Sequence, residues 1–232
     1  MIEISHLTKT YGDRNVVNDC TWNVPDGAIM GFIGPNGAGK TTLALTLGGL
    51  LKPVAGAVRA SPALAGSAGT DPARWKSTEL VTRIGTVFQE PEHQFLTGTV
   101  RGELAFGPMR AGRLTDVAIA ELVARLADRL RLTSLLDANP FTLSGGEKRR
   151  LSVATMIATE PDILLLDEPT FGQDANTWAE LVTLLRSLLD EGRSVVSVTH
   201  DSEFLQALGG NVLNVEYGTA AVRTAARKTV RK

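Results

Sequence analysis

Eight consecutive residues constrain this chain most: Gly34, Pro35, Asn36, Gly37, Ala38, Gly39, Lys40 and Thr41, with Thr42 beside them. They fit G-x-x-x-x-G-K-[ST], and the flanks are those the motif needs. Residues 28–33 form a short apolar run that reads as a strand, and residues 40–51 read as a helix stopped by Lys52 and Pro53. The glycines let backbone N–H groups turn inward around an anion, and the helix start adds partial positive charge. Lys40 supplies a point charge for β- and γ-phosphates, and Thr41 a hydroxyl for Mg²⁺. Strand, loop and helix in that order point to an α/β nucleotide-binding chain.

With 232 residues, 43% hydrophobic and 21% charged, the chain can bury one substantial α/β core with a helical elaboration. A formal net charge of -1 gives no sign of a nucleic-acid partner. Cys20 is the single cysteine, so a small buried residue in a reducing, cytoplasmic setting is expected rather than a disulfide framework. Residues 1–10 carry Glu3, His6 and Lys9 and no apolar secretory stretch. No run approaches the roughly 20 apolar residues that span a bilayer. Any membrane association is therefore expected to go through a partner.

Residues 2–7 and 16–24 alternate or cluster apolar side chains between turn signals and read as N-terminal strands. Residues 54–80 read as loops with short strand pieces, and 83–88 as another strand. Residues 90–113 hold Pro91, Gly98, Gly102, Gly107, Pro108 and Gly112, which predicts irregular segments and short helices. Ile119, Leu122, Val123, Leu126 and Leu130 recur at helical spacing. The stretch from about 90 to 160 is thus expected to be a mainly helical insertion. Residues 163–166 and 194–198 read as buried strands, 178–189 and 201–208 as helices, and 211–216 as a closing strand. A single domain is expected over 1–220, followed by a basic, disordered tail over 221–232.

Two later motifs carry chemistry. Asp167 and Glu168 end the apolar run 163–166, and paired carboxylates there are costly unless they meet a cation or strong donors. Asp167 is read as a Mg²⁺ ligand, and Glu168 as the general base or water-orienting group. Upstream, Leu143, Ser144, Gly145, Gly146 and Glu147 open a helix. Ser with Glu three residues on is a capping box. A capping box does not need the two intervening glycines, which cost helix propensity. What they offer is bare N–H groups at a positive helix end, a second anion site.

Leu143–Glu147 taken with the other motifs resembles the signature of ATP-binding-cassette (ABC) ATPases. The loop at 34–41 is then similar to their Walker A, and residues 163–168 to their Walker B with its glutamate. By the same resemblance, His200 matches the switch histidine, Gln89 the Q-loop glutamine and Tyr11 the aromatic against adenine. Asp174 falls in the D-loop. The resemblance implies a P-loop NTPase core, a mixed sheet flanked by helices, with an N-terminal antiparallel β subdomain and a helical signature subdomain. It implies ATP and Mg²⁺ as cofactors, with Thr41, Gln89 and Asp167 around the metal and Glu168, His200 and Gln89 as catalytic groups. It also implies a head-to-tail dimer with a second ABC ATPase subunit, identical or paralogous, in which Leu143–Glu147 completes the partner's ATP site. Two positions depart from the usual pattern: residues 171–174 read Phe-Gly-Gln-Asp rather than Ser-Gly-Leu-Asp, and Glu147 replaces the commoner glutamine.

Residues 89–95, 99–100 and 105–108 are similar to the Q-loop region of energy-coupling-factor (ECF) transporter ATPases. That likeness implies the motor of a vitamin or metal-ion importer, peripheral on the cytoplasmic face of the cell membrane. Residues 89–108 would face a transmembrane coupling subunit, and a separate substrate-binding membrane subunit would be reached only indirectly. The competing expectation is a non-transport ABC ATPase in a cofactor-assembly or repair complex. A non-hydrolysing regulatory cassette is a third, which the full set Lys40, Gln89, Asp167, Glu168 and His200 disfavours.

Overall fold

The computed structural model describes residues 1–216 and 219–223. Residues 217–218 and 224–232, and the side chains of Tyr11, Arg14 and 219–223, lie outside the described residues. The chain opens with β1 (Ile2–Tyr11), β2 (Arg14–Val24), β3 (Ile29–Ile33), α1 (Lys40–Leu47) and β4 (Ala55–Ala60). Next come α2 (Pro62–Ala65), α3 (Ser77–Val81) and β5 (Ile84–Val87), then α4 (Val100–Ala111), α5 (Asp116–Arg129) and α6 (Gly145–Ile157). It closes with β6 (Ile163–Asp167), α7 (Ala175–Asp190), β7 (Ser194–Val198), α8 (Ser202–Leu208), β8 (Asn211–Glu216) and β9 (Thr219–Arg223).

Two sheets result. A smaller antiparallel one has the order β2-β1-β4, and a larger one the order β5-β6-β7-β3-β8-β9. The larger is parallel except for β9, which pairs antiparallel with β8. Alternation along its strands explains why they read as unbroken apolar runs. Ile163 and Leu165 of β6 join the core beneath the smaller sheet and α1, whereas Leu164 and Leu166 join the core against the helices. A strand covered on both faces has no polar side to show. β9 carries the sheet to Arg223, into the first three residues of the tail expected over 221–232. The rest of that tail lies outside the described residues.

The helical region α4–α6 sits between β5 and β6, which pair directly with each other. Here the structure departs from the sequence reading: residues 100–111 form one twelve-residue helix despite Gly102, Gly107 and Pro108. Its ends are fixed chemically. Thr99 Oγ1 accepts from the Gly102 N–H at 3.1 Å, and Gly112 closes it at φ 65°. Val100 and Leu104 are fully buried, so packing overrides weak propensity. Gly107 is required by close approach, because a Cβ there would stand 2.5 Å from Thr159 Cγ2. Residues 54–80 likewise hold α2 and α3, which the loop reading did not anticipate. α1 stops at Leu47, before Pro53, because Gly48 and Gly49 follow and Gly49 turns left-handed at φ 73°.

This packing yields a prediction. Gly107→Ala should destabilise the chain by about 1–2 kcal/mol, overpacking exceeding the gain in helix propensity. Thr159→Ser in the same chain removes Cγ2 but keeps the hydroxyl that donates to the Val81 carbonyl at 2.7 Å. In that background, urea denaturation should find Gly107→Ala neutral or stabilising. An equal loss in both backgrounds would contradict the close-approach account.

Candidate active site

The C-terminal ends of the parallel strands position the site. β3 runs into the glycine loop, which threads between two neighbouring backbones. A Cβ on Gly34 would lie 2.0 Å from the Val215 carbonyl oxygen, and one on Gly39 2.4 Å from that of Val16. Any other residue would push the loop off both. α1 then starts from Gly39 with no side-chain cap and no acid in its first turn. Its leading N–H groups remain available to an anion, at the positive end of the helix. Lys40 Nζ donates to the Gly34 and Pro35 carbonyls at 2.8 and 3.0 Å, which holds the ammonium over the loop. Burial pulls its pKa below the usual lysine value, against the charges of Glu168 and Asp167.

Asp167 lies at the end of β6, and Thr41 donates its hydroxyl to Asp167 Oδ2 at 2.8 Å. Burial raises the Asp167 pKa, as does the Glu168 carboxylate, while the Thr41 bond, Arg149 and Lys40 oppose the shift. The next residue turns sharply. Glu168 has φ 48°, a left-handed conformation that costs a non-glycine residue about 1–3 kcal/mol. Its N–H donates to the Val198 carbonyl at 2.8 Å. Glu168 Oε1 is 3.7 Å from His200 Nε2, which is 3.2 Å from Asn36 Oδ1. His200 therefore stands between the glycine loop and the second carboxylate.

The donor set suits a Mg²⁺ ion. Thr41 and Asp167 offer adjacent hard oxygens, and Mg²⁺ is held by few protein ligands, with phosphate and water completing its shell. Among the described residues no cluster of three or more His, Cys, Asp or Glu is arranged to hold a metal by itself.

These groups line a cleft of about 710 Å³ that includes Asn36, Gly37, Gly39, Lys40, Thr41 and Thr42, together with Gln89, Asp167, Glu168 and His200. Pro35 contributes its carbonyl, and Ala38 is buried beneath the loop. Phe171, 76% exposed, also borders the cleft. Sequence reasoning missed Arg149 of α6. It is buried, donates from Nη1 to the Phe88 carbonyl at 2.8 Å and from Nη2 to that of Gln89, and so anchors the loop before the cleft. Helical spacing held the signal, since Arg149 shares the buried stripe of Val153, Met156 and Ile157. A second cleft, of about 500 Å³, is lined by Gln94, Leu96, Glu103, Phe106 and Arg110 among others.

Leu143, Ser144, Gly145, Gly146, Glu147 and Asp174 do not line the first cleft. Leu143 is buried in the helical core. Ser144 caps α6: its Oγ accepts from the Glu147 N–H at 3.4 Å, and Glu147 Oε2 accepts from the Ser144 N–H at 2.8 Å. A Cβ on Gly145 would meet nothing within 4 Å, and one on Gly146 nothing closer than 3.9 Å. Packing within the chain thus does not require either glycine. Asp174 caps α7, accepting from the Asn176 and Thr177 N–H groups at 2.9 and 3.0 Å and from the Thr177 hydroxyl at 2.8 Å. The Tyr11 side chain lies outside the described residues. No helix among the described residues is long and apolar enough to cross a membrane.

Comparison with known proteins bears on this geometry. Residues 17–171 match the family model for the ABC transporter. The chain is 39% identical over 213 residues to the putative HMP/thiamine import ATP-binding protein YkoD of Bacillus subtilis, covering 92% of this chain but only 37% of that protein. It is 35% identical over 219 residues to the energy-coupling factor transporter ATP-binding protein EcfA of Methanothermobacter thermautotrophicus, covering 94% of this chain and 68% of that one. Among solved structures, the dimeric structure of MJ0796, a bacterial ABC transporter cassette, superposes with a TM-score of 0.84 at 25% identity, covering 97% of this chain and 98% of that one.

The Asp174 cap predicts a pH dependence. Hydrogen bonds from the Thr177 N–H and hydroxyl hold its pKa below the ordinary 3.8. A depressed carboxylate contributes stability that is full above the unfolded-state pKa and fades as pH falls through the folded one. Asp174→Ala should therefore lower the urea midpoint by a constant amount from pH 5 to 7, and the gap should narrow only below about pH 4. A gap that widens on acidification would refute the cap assignment.

Proposed function

The chain belongs to the ABC transporter family, and on that premise we propose that it is the ATP-hydrolysing motor of an importer for a vitamin or metal ion. The observation that carries the reading is the meeting, in one cleft, of an uncapped helix start, Lys40, the Thr41–Asp167 pair and the Glu168–His200–Asn36 line. The loop N–H groups and Lys40 take the β- and γ-phosphates of ATP. Burial disfavours charge on both Lys40 and Asp167. A phosphate beside the first and a cation beside the second each favour the charged form again. Mg²⁺, when bound, neutralises charge on the β- and γ-phosphates. Glu168 accepts a proton from the attacking water, and His200 keeps that carboxylate facing the loop. Gln89 borders the same space from the loop that Arg149 anchors. Tyr11 stacks on adenine in this proposal.

Two further parts follow. The glycines at 145–146 are open to the outside and away from the chain's own cleft, which supports a composite site: Leu143–Glu147 of one subunit closes the ATP site of a second ATPase subunit. The second cleft, with exposed Leu96 and Phe106 on its border, suits a short docking segment of a transmembrane coupling subunit. The chain then works peripherally on the cytoplasmic face of the membrane, and a separate membrane subunit takes the substrate. The import role named for YkoD and the energy-coupling role named for EcfA support this branch.

Glu168→Gln should retain ATP binding, lose turnover by about 10²–10⁴-fold and accumulate ATP-bound dimer by size-exclusion chromatography. Undiminished hydrolysis would remove Glu168 from its role. Leu96→Asp with Phe106→Asp should abolish co-purification with integral membrane proteins from gentle detergent while nucleotide binding persists. Co-purification that survives the double change would place the docking surface elsewhere.

A further inference from the structure

Among the described residues β5 is the outermost strand of the larger sheet, with β6 on one side and no strand on the other. Backbone groups on such an open edge need other partners. One side chain supplies two of them. Gln94 Nε2 donates to the Thr86 carbonyl at 3.1 Å, and Gln94 Oε1 accepts from the Phe88 N–H at 3.1 Å. The amide thus makes both bonds that a residue of an added parallel strand would make opposite Val87. Gln94 is placed by the tight turn over residues 91–94, whose following residue, Phe95, donates its N–H to the Glu92 carbonyl at 3.3 Å and is buried in the helical core. The next two carbonyls of the chain, those of Phe88 and Gln89, are held by Arg149. Four backbone groups within residues 86–89 are therefore fixed by two side chains rather than by a strand.

We propose that Gln94 is a positioning residue for Gln89: its amide prolongs the bonded edge of β5 as far as Phe88, so that Gln89 leaves the sheet at a fixed point on the border of the nucleotide cleft. Gln89 lines that cleft, and Gln94 lines the second one. The chemistry selects the residue. Thr86 offers an acceptor and Phe88 a donor, so the partner must carry a donor and an acceptor on one small planar group. An ionised glutamate has two acceptors and no donor, leucine has neither, and asparagine is one methylene shorter. Without the amide, the Phe88 N–H and the Thr86 carbonyl lose these partners, and the Arg149 bonds alone hold the start of the loop. The catalytic consequence rests on the ATPase reading above; the two amide bonds do not.

Two readouts test it. In the full chain, NMR-detected hydrogen exchange of the Phe88 N–H should be about 5- to 100-fold faster in Gln94→Leu than in wild type, with a much smaller change at Leu164–Leu166 of β6. Unchanged exchange at Phe88, or an acceleration no larger there than in β6, overturns the proposal. In the assembled complex, Gln94→Leu should lower kcat per nucleotide-binding site by about 3- to 30-fold with KM for ATP unchanged. Single-turnover hydrolysis in a Gln89→Ala background should then show less than about a 2-fold further loss from Gln94→Leu, since a residue acting through Gln89 has nothing left to position. Wild-type kcat in Gln94→Leu, or an undiminished further loss in the Gln89→Ala background, also overturns it. Should wild-type protein fail to hydrolyse ATP, the proposed function falls, and the exchange result still decides whether Gln94 holds the Phe88 N–H.

Discussion

The hydrogen bond from Thr41 to Asp167 joins the first turn of α1 to the end of β6, and the site depends on it. The two residues are 126 positions apart in sequence. β7 lies between β6 and β3 in the sheet, so the contact needs the β6–β7–β3 register to be right along its length. That register is set by burial on both faces, where a slip of one residue would send each apolar side chain into the wrong core. The charged groups sit where the strands end because nowhere along them could a charge be solvated or paired. The same burial that aligns them lowers the pKa of Lys40 and raises that of Asp167.

Three helix starts in this chain show how one physical rule serves different ends. α7 and α6 are capped by Asp174 and by the Ser144–Glu147 box. α1 is left uncapped behind Gly39. Capping residues satisfy N–H groups internally; their absence at α1 leaves that end for a ligand. α6 stands between the two cases. Its cap is complete through Ser144 and Glu147, yet the two glycines inside the box are open to space that the chain does not fill. Glu147 is held ionised chiefly by its bonds to Ser144, with Arg150 nearby adding to the effect.

Much of the site was legible because its motifs are contiguous. The loop at 34–41, the Asp167–Glu168 pair and the box at 144–147 each carry their local geometry in a few residues. α4 was not legible, since Gly102, Gly107 and Pro108 speak against a helix and only burial of Val100 and Leu104, with close packing on Thr159, outweighs them. Arg149 was missed for a related reason. Nothing local distinguishes a solvated arginine from one whose partners are the carbonyls of Phe88 and Gln89, some 60 residues upstream.

The sequence by itself determined the strand–loop–helix unit, the alternation of strands and the chemistry of the phosphate and acid motifs, because these rest on backbone preference and short-range spacing. Tertiary structure alone decided which of those motifs share a cleft. It brought Asn36, Glu168 and His200 into one line and left Leu143–Glu147 outside it. It also buried the side-chain amide of Gln173. Such juxtapositions depend on strand order and on packing between distant elements, where contact energies, not local propensity, choose the neighbour.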